Sequence, residues 1–270
     1  MWAIFKQTIK DRKMSLLIYC LFAIFFLWMY VAMFPSIRDK SAEMTKLLEA
    51  YPKSFMDAFG LKMEELSFTK LESFLAMEQF SFVWPIMMIA LMVSLGGSAI
   101  AGEIEKGTIE TLLSQPISRL KIFFAKYLAG VFNLVVFTIV SIFAVIPMAA
   151  AYNIDIQRTN YLTIAVLSLA FGLAILSIAS LMSAIFSEKG RAYFLVVGLI
   201  VLMYVAKIVA NLKESLSDLK YFSFFYYYDS SAALIHNSLD KWAIWVFLAV
   251  AVVGLAAGAV WFWRRDISVS

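Results

Sequence analysis

The chain has 270 residues, of which 63% are apolar and 16% charged, with a mean hydropathy of +0.83 and a net charge of +4. A soluble domain is about 45–50% apolar and about 25% charged, so this composition excludes an ordinary water-soluble fold and points to a lipid solvent. The small net charge gives no reason to expect a nucleic-acid partner, and the one cysteine, Cys20, excludes an internal disulfide and a thiolate metal cluster.

Spanning about 30 Å of hydrocarbon takes roughly 20 mostly apolar residues. Six runs meet that length, so the expected fold class is an all-α integral membrane protein: a six-transmembrane-helix bundle in one domain covering 1–270. Residues 1–14 place Trp2, Phe5 and Ile9 on one helical stripe, with Lys6, Lys10 and Lys13 around the rest. That pattern predicts an amphipathic helix lying in the membrane interface. The first span is 15–34. It is longer than a signal-peptide core and no small-x-small cleavage pattern follows, so no cleavable signal is expected.

The loop 35–79 has apolar groups at helical spacing: Leu47 and Leu48; Phe55, Met56 and Phe59; Leu71, Phe74 and Leu75. Pro52 and Gly60 divide them, which predicts short outer helices resting on the membrane or capping the bundle. The remaining spans are 80–101, 124–150, 161–186, 192–210 and 242–263. Pro85 and Pro147 fall inside spans, where neighbouring helices can satisfy the freed backbone groups.

Between the second and third spans, Gly107 is suited to end a helix continuing from the second span. Thr108 is a good N-cap, and Glu110 would meet the positive end of a new helix. Ile109, Leu112 and Leu113 then form an apolar stripe, and Pro116 stops further helix. A short amphipathic helix over 108–114 is predicted, its stripe resting on lipid or seated in a groove of a partner. A second connection, 187–191, carries Glu188, Lys189 and Arg191. In the loop 211–241, seven aromatics fill the eight positions 221–228. Such rings suit the headgroup zone, as an interfacial belt or a short re-entrant element, with direct contact to cargo as the alternative.

Basic residues in short loops set orientation. The side holding both termini carries twelve Lys and Arg against six acids, close to the spans; the other side has eleven against thirteen. Both termini are therefore expected in the cytoplasm of a multi-pass plasma-membrane protein. There is no phosphate-cradling GxxxxGK[ST] loop and no HExxH, so no catalytic, cofactor or metal site is expected. His236 reads as a surface residue of the outer loop. No Asp or Glu falls in the middle of a span, where an ion-coupled transporter usually needs one. Lys207 lies near the outer end of the fifth span and can snorkel. A bundle without an ATPase or an ion-coupling group suggests an energy source on another subunit.

The run Ala101-Gly102-Glu103-Ile104-Glu105-Lys106-Gly107-Thr108-Ile109-Glu110-Thr111-Leu112-Leu113-Ser114-Gln115-Pro116-Ile117-Ser118-Arg119 resembles the cytoplasmic coupling segment of the ABC-2 transporter permease family. Six spans, an N-terminal interfacial helix and an aromatic outer loop before the last span also fit it. The resemblance implies that Glu103, Glu105, Gly107, Thr108, Glu110, Leu112, Leu113, Pro116 and Arg119 couple the chain to an ATPase. Glu188, Lys189 and Arg191 would form a second cytoplasmic contact. It further implies two ABC ATPase subunits that hold ATP and magnesium, and a second permease chain, identical or homologous. The expected function is the permease of an ABC exporter, and the uncharged spans suit an amphipathic or apolar cargo such as a peptide, antibiotic or lipid-like molecule. The alternative is a membrane sensor or assembly protein of such a complex, without transport of its own.

Overall fold

The computed structural model describes residues 1–52, 54, 56, 58 and 67–266. Phe55, Phe59 and Gly60 of the expected outer helices lie outside the described residues. In chain order the helices are α1 (Trp2–Asp39), α2 (Ser41–Glu49), α3 (Leu71–Gly97), α4 (Ala101–Glu105), α5 (Ile109–Leu113), α6 (Arg119–Ala151), α7 (Arg158–Ile185) and α8 (Lys189–Leu212). A 3₁₀ segment, Glu214–Phe222, leads to α9 (Phe224–Tyr227), α10 (Ser230–Ile235) and α11 (Ala243–Arg264). Six of these, α1, α3, α6, α7, α8 and α11, are long and apolar enough to cross a membrane. Among the described residues there is no strand.

Several boundaries move from the expected ones. Residues 1–14 are not a separate element, because α1 is helical without interruption for 38 residues. At 1.5 Å per residue that is roughly 57 Å, well beyond the hydrocarbon thickness. Ile4, not the expected stripe of Trp2, Phe5 and Ile9, is the buried residue of its first turns, and Trp2 is exposed. The second span starts earlier and ends earlier than 80–101. Leu71, Phe74 and Leu75, expected in an outer helix, are buried and open α3, which passes through a π-helical stretch, Ala76–Val83, before regular helix resumes at Trp84. Glu72 and Glu78 thereby enter the outer turns of this helix, and the middle of the span stays free of carboxylates. α6 breaks at Ala144, three residues before Pro147, whose missing N–H leaves a carbonyl of the preceding turn without its helical donor.

α7 is the pillar of the bundle: α11, α3, α6, α8 and α10 all pack against it. Close approach is possible because its inner faces are small. A Cβ on Gly96 of α3 would lie 2.7 Å from Ala179 Cβ and 2.8 Å from the Leu176 carbonyl oxygen. Hydroxyls stitch the same surfaces, as in Tyr127 with Ser177 at 2.7 Å. Without a hydrophobic force between helices in lipid, small residues and interhelical hydrogen bonds supply the association.

The aromatic run 221–228 is divided. Tyr221 and Phe222 are exposed, whereas Phe224 and Tyr228 are buried. Tyr228 lies parallel to Trp84 at 6.2 Å between centroids and 4.7 Å from Phe171. The run therefore packs against the bundle through Phe224 and Tyr228, with Phe225, Tyr226 and Tyr227 half-buried between them.

Candidate functional site: the polar platform at the termini-bearing end

The start of α1, the end of α11 and the connections 98–118 and 186–188 meet at one end of the bundle. α3 does not continue to Gly107 as expected. It stops at Gly97, the chain turns through 98–100, and α4 begins. The N–H groups of Ile100 and Ala101 both donate to Ser183 Oγ of α7 at 2.9 Å. One serine therefore satisfies two backbone donors that the break exposes, and a buried break is tolerable only with such partners.

Gly107 ends α4 and takes φ +71°, a left-handed conformation that glycine adopts without steric cost. Thr108 does not cap α5. Its backbone is helical at φ −80°, and its hydroxyl bonds instead to the Glu103 carboxylate. An N-cap needs an extended backbone to aim its side chain at the following N–H groups, so the local rule fails here. Glu110 stands in the first turn of α5 and is exposed, as are Thr111, Ser114 and Pro116.

The apolar stripe of α5 turns inward. Ile109 is buried with Ile100, Phe123, Ala184, Ala259 and Phe262, and Leu113 packs on this cluster. Leu112 and Leu113 also pack on Ile4, Ile122 and Ala125. The stripe is thus held by α1, α4, α6, α7 and α11 of the same chain. What α5 leaves on the surface is polar.

Three charged ties fix the platform. Lys126 Nζ of α6 donates to Glu103 Oε1 at 2.6 Å, and the lysine side chain is only 8% exposed. Burial pushes the Glu103 carboxyl up, but the Lys126 ammonium, the Thr108 hydroxyl and Lys106 outweigh it and hold the group below the usual carboxylate range. Glu105 Oε2 accepts the Lys189 backbone N–H at 3.0 Å, and its other oxygen lies 3.3 Å from Lys189 Nζ. The backbone N–H first, and then the ammonium, lower the Glu105 carboxyl. The third tie is Arg265: its guanidinium donates to the carbonyls of Ala184 at 2.8 Å and Phe186 at 3.2 Å, and to Ser187 Oγ at 2.6 Å. Arg119, at the start of α6, donates in turn to the Arg265 carbonyl.

The two connections singled out in the sequence are therefore one surface, joined through Glu105 and Lys189. Glu188 and Arg191 pair with each other at 3.0 Å on its exposed edge. Sequence reasoning counted Lys126, Arg265 and Arg12 only as markers of orientation and passed over Ser183. A serine two residues from the end of an apolar helix carries no local signal that it accepts from another helix. Arg12 of α1 donates to Ser98 Oγ at the α3 break.

One end of a polytopic helical bundle thus folds a broken span and two connections into a single polar platform. The family described as ABC-2 family transporter protein matches residues 2–267, and the chain belongs to it. As an ABC-2 permease it is a multi-pass membrane protein of a class that works with an ATPase partner and does not itself hydrolyse ATP. No curated protein matches the chain.

Proposed function

We propose that the chain is the permease of an ABC exporter, with the platform turned to the cytoplasm and seated on ATPase subunits that hold ATP and magnesium. The observation that carries this reading is the Glu105–Lys189 link, which joins the connection 98–118 to the start of α8, next to 186–188, as one surface that a partner can push. The partner meets the polar side: Glu110, Thr111, Ser114 and Pro116, with Glu188 and Arg191 beside them. Gly107 and Thr108 are exposed on that surface, Glu103 and Arg119 support it from partly buried positions, and Leu112 and Leu113 anchor it to the bundle. Basic residues concentrated next to the spans at this end support the cytoplasmic orientation.

The exposed face of α8, with Phe194 at 78% and Leu202 at 68% exposure and an open Gly198 between them, suits a second permease chain. Two permeases with two ATPases complete the assembly. An amphipathic or apolar cargo fits spans whose centres carry no carboxylate.

The test is Glu110→Lys in the chain co-expressed with its ATPase. Insertion and yield are expected to match the parent, because the side chain is exposed, while ATPase co-purification falls by about tenfold, or roughly 1.4 kcal/mol. Unchanged co-purification and unchanged ATP turnover in Glu110→Lys and in Glu188→Lys would remove the platform as the ATPase seat. Leu112→Asp is a poor probe, since it would disrupt the chain's own packing first.

A further inference from the structure

A cavity of about 280 Å³ opens at the platform between α1, the α3–α4 break, α6 and α8. Its charged lining is Arg12, Lys106, Lys126 and Lys189 against Asp11 and Glu103, an excess of two positive charges. The pairing inside it is uneven. Lys126 is held by Glu103 and Lys189 by Glu105. Arg12 and Lys106 form no ion pair among the described residues. Arg12 is tethered only to the Ser98 hydroxyl, and Asp11 accepts from Gln7 at 2.8 Å.

The cavity also has a definite depth. Leu95, Gly130 and Tyr193 on its wall belong to spanning helices, whereas Lys106 belongs to the connection. It therefore sits at the platform end of the helices long and apolar enough to span, the level at which a lipid phosphate would meet them. Membrane-ward of it, the faces that continue its lining carry half-buried or exposed apolar side chains: Tyr19, Phe22 and Phe26 on α1, and Val197 on α8, away from the Phe194–Leu202 face. A basic pocket between spanning helices, opening on apolar tracks, is built for a headgroup with its acyl chains.

We propose that this cavity binds the phosphate of an anionic phospholipid from the leaflet at the platform end, between Arg12 and Lys106. The guanidinium of Arg12 offers a planar donor pair to two phosphate oxygens, and Lys106, on the same lining, adds a point charge. Lys126 and Lys189, already paired, set the surrounding potential. The tracks on α1 and α8 explain why a lipid, rather than a free anion, is the occupant.

The experiment uses the purified full-length chain, without any ATPase, so its outcome is separate from that of the coupling test. Native mass spectrometry in a neutral detergent counts bound phosphatidylglycerol and phosphatidylcholine over a concentration series. Phosphatidylglycerol is expected to bind at least tenfold more tightly. Arg12→Gln with Lys106→Gln should remove that preference, and Lys106→Gln alone, at an exposed position that cannot compromise folding, should reduce it severalfold. Circular dichroism and a monodisperse elution profile confirm that both variants are folded. Equal binding of the two lipids by the parent, or full preference retained in both variants, overturns the proposal. So does displacement of phosphatidylglycerol by inorganic phosphate at the same concentration, which would mark a soluble-anion site.

Discussion

α7 and α8 are consecutive helices whose most apolar 18-residue stretches have the same mean hydropathy, 2.4, yet 67% of that stretch is buried in α7 and 17% in α8. In water such a difference would be written in hydropathy. In lipid it cannot be, because tails and leucines are equally apolar. The distinction lies in size and hydroxyls. The buried positions of α7 include Ala165, Ala170, Gly172, Ala174, Ala179 and four serines, Ser168, Ser177, Ser180 and Ser183. α8 presents Phe194, Leu195, Leu199 and Leu202 outward and buries only Ala192, Val196, Ile200 and Ala210. Small-and-hydroxyl content, not apolarity, marks the pillar.

Glycines sharpen that contrast most. Gly96→Leu must push its Cβ into the α7 backbone at Leu176 and Ser180. Overpacking of a tight contact costs about 1–3 kcal/mol, and backbone yields less than side chains, so the upper end or beyond is expected. Thermal unfolding in detergent should show a lowered midpoint and poor yield. A stable Gly96→Leu protein would show that the α3–α7 contact is not tight.

Ser183→Ala comes next. It strands the N–H groups of Ile100 and Ala101, and a buried unsatisfied donor costs about 1–3 kcal/mol. Hydrogen exchange at residues 98–106 should quicken while α8 is unchanged. If exchange there equals the parent's, the serine is not what holds the break.

The Glu103–Lys126 tie predicts a smaller, pH-dependent effect. Because the folded carboxyl is held below its ordinary value, its contribution is full above that value, about pH 4.3, and is lost as pH falls through the lowered one. The thermal midpoint of the parent should exceed that of Glu103→Gln at neutral pH, and the gap should close only under acid conditions. A gap that disappears already at pH 6 contradicts the assignment.

The smallest effect belongs to Gly198→Leu. Nothing lies within 4 Å of a Cβ there, so the stability of the single chain should change by no more than about 0.5 kcal/mol. A loss as large as that of Gly96→Leu would abolish the contrast between the two helices.

The six spans were legible because length and apolarity are local properties, and no partner is needed to see them. The membership of Leu71, Phe74 and Leu75 in α3 was not, since Glu72, Glu78 and a π-helical stretch interrupt the apolar run. Glu72 is buried through a bond to the Gln157 N–H at 2.7 Å, a tertiary contact. The site was half legible. The segment 101–119 was found from its own signals, but its internal wiring depends on residues elsewhere in the chain. Glu103 answers to Lys126, Glu105 to Lys189, and the break at 98–100 to Ser183. The same holds for the α5 stripe: a helical period of apolar residues tells that one face is covered, not by what.

One ring in the middle of the bundle has a use for optical measurement. Of seven tryptophans, Trp84 is fully enclosed, stacked between Phe137 and Tyr228 and donating to Ser141 Oγ at 2.8 Å. The other six, at 28, 261, 263, 242, 245 and 2, are each 47% exposed or more. Brominated acyl chains would quench emission from rings that touch lipid and spare Trp84. The residual fluorescence therefore isolates a single chromophore whose stacking partners come from α6 and the aromatic run 221–228, a built-in reporter of whether those two elements part during transport.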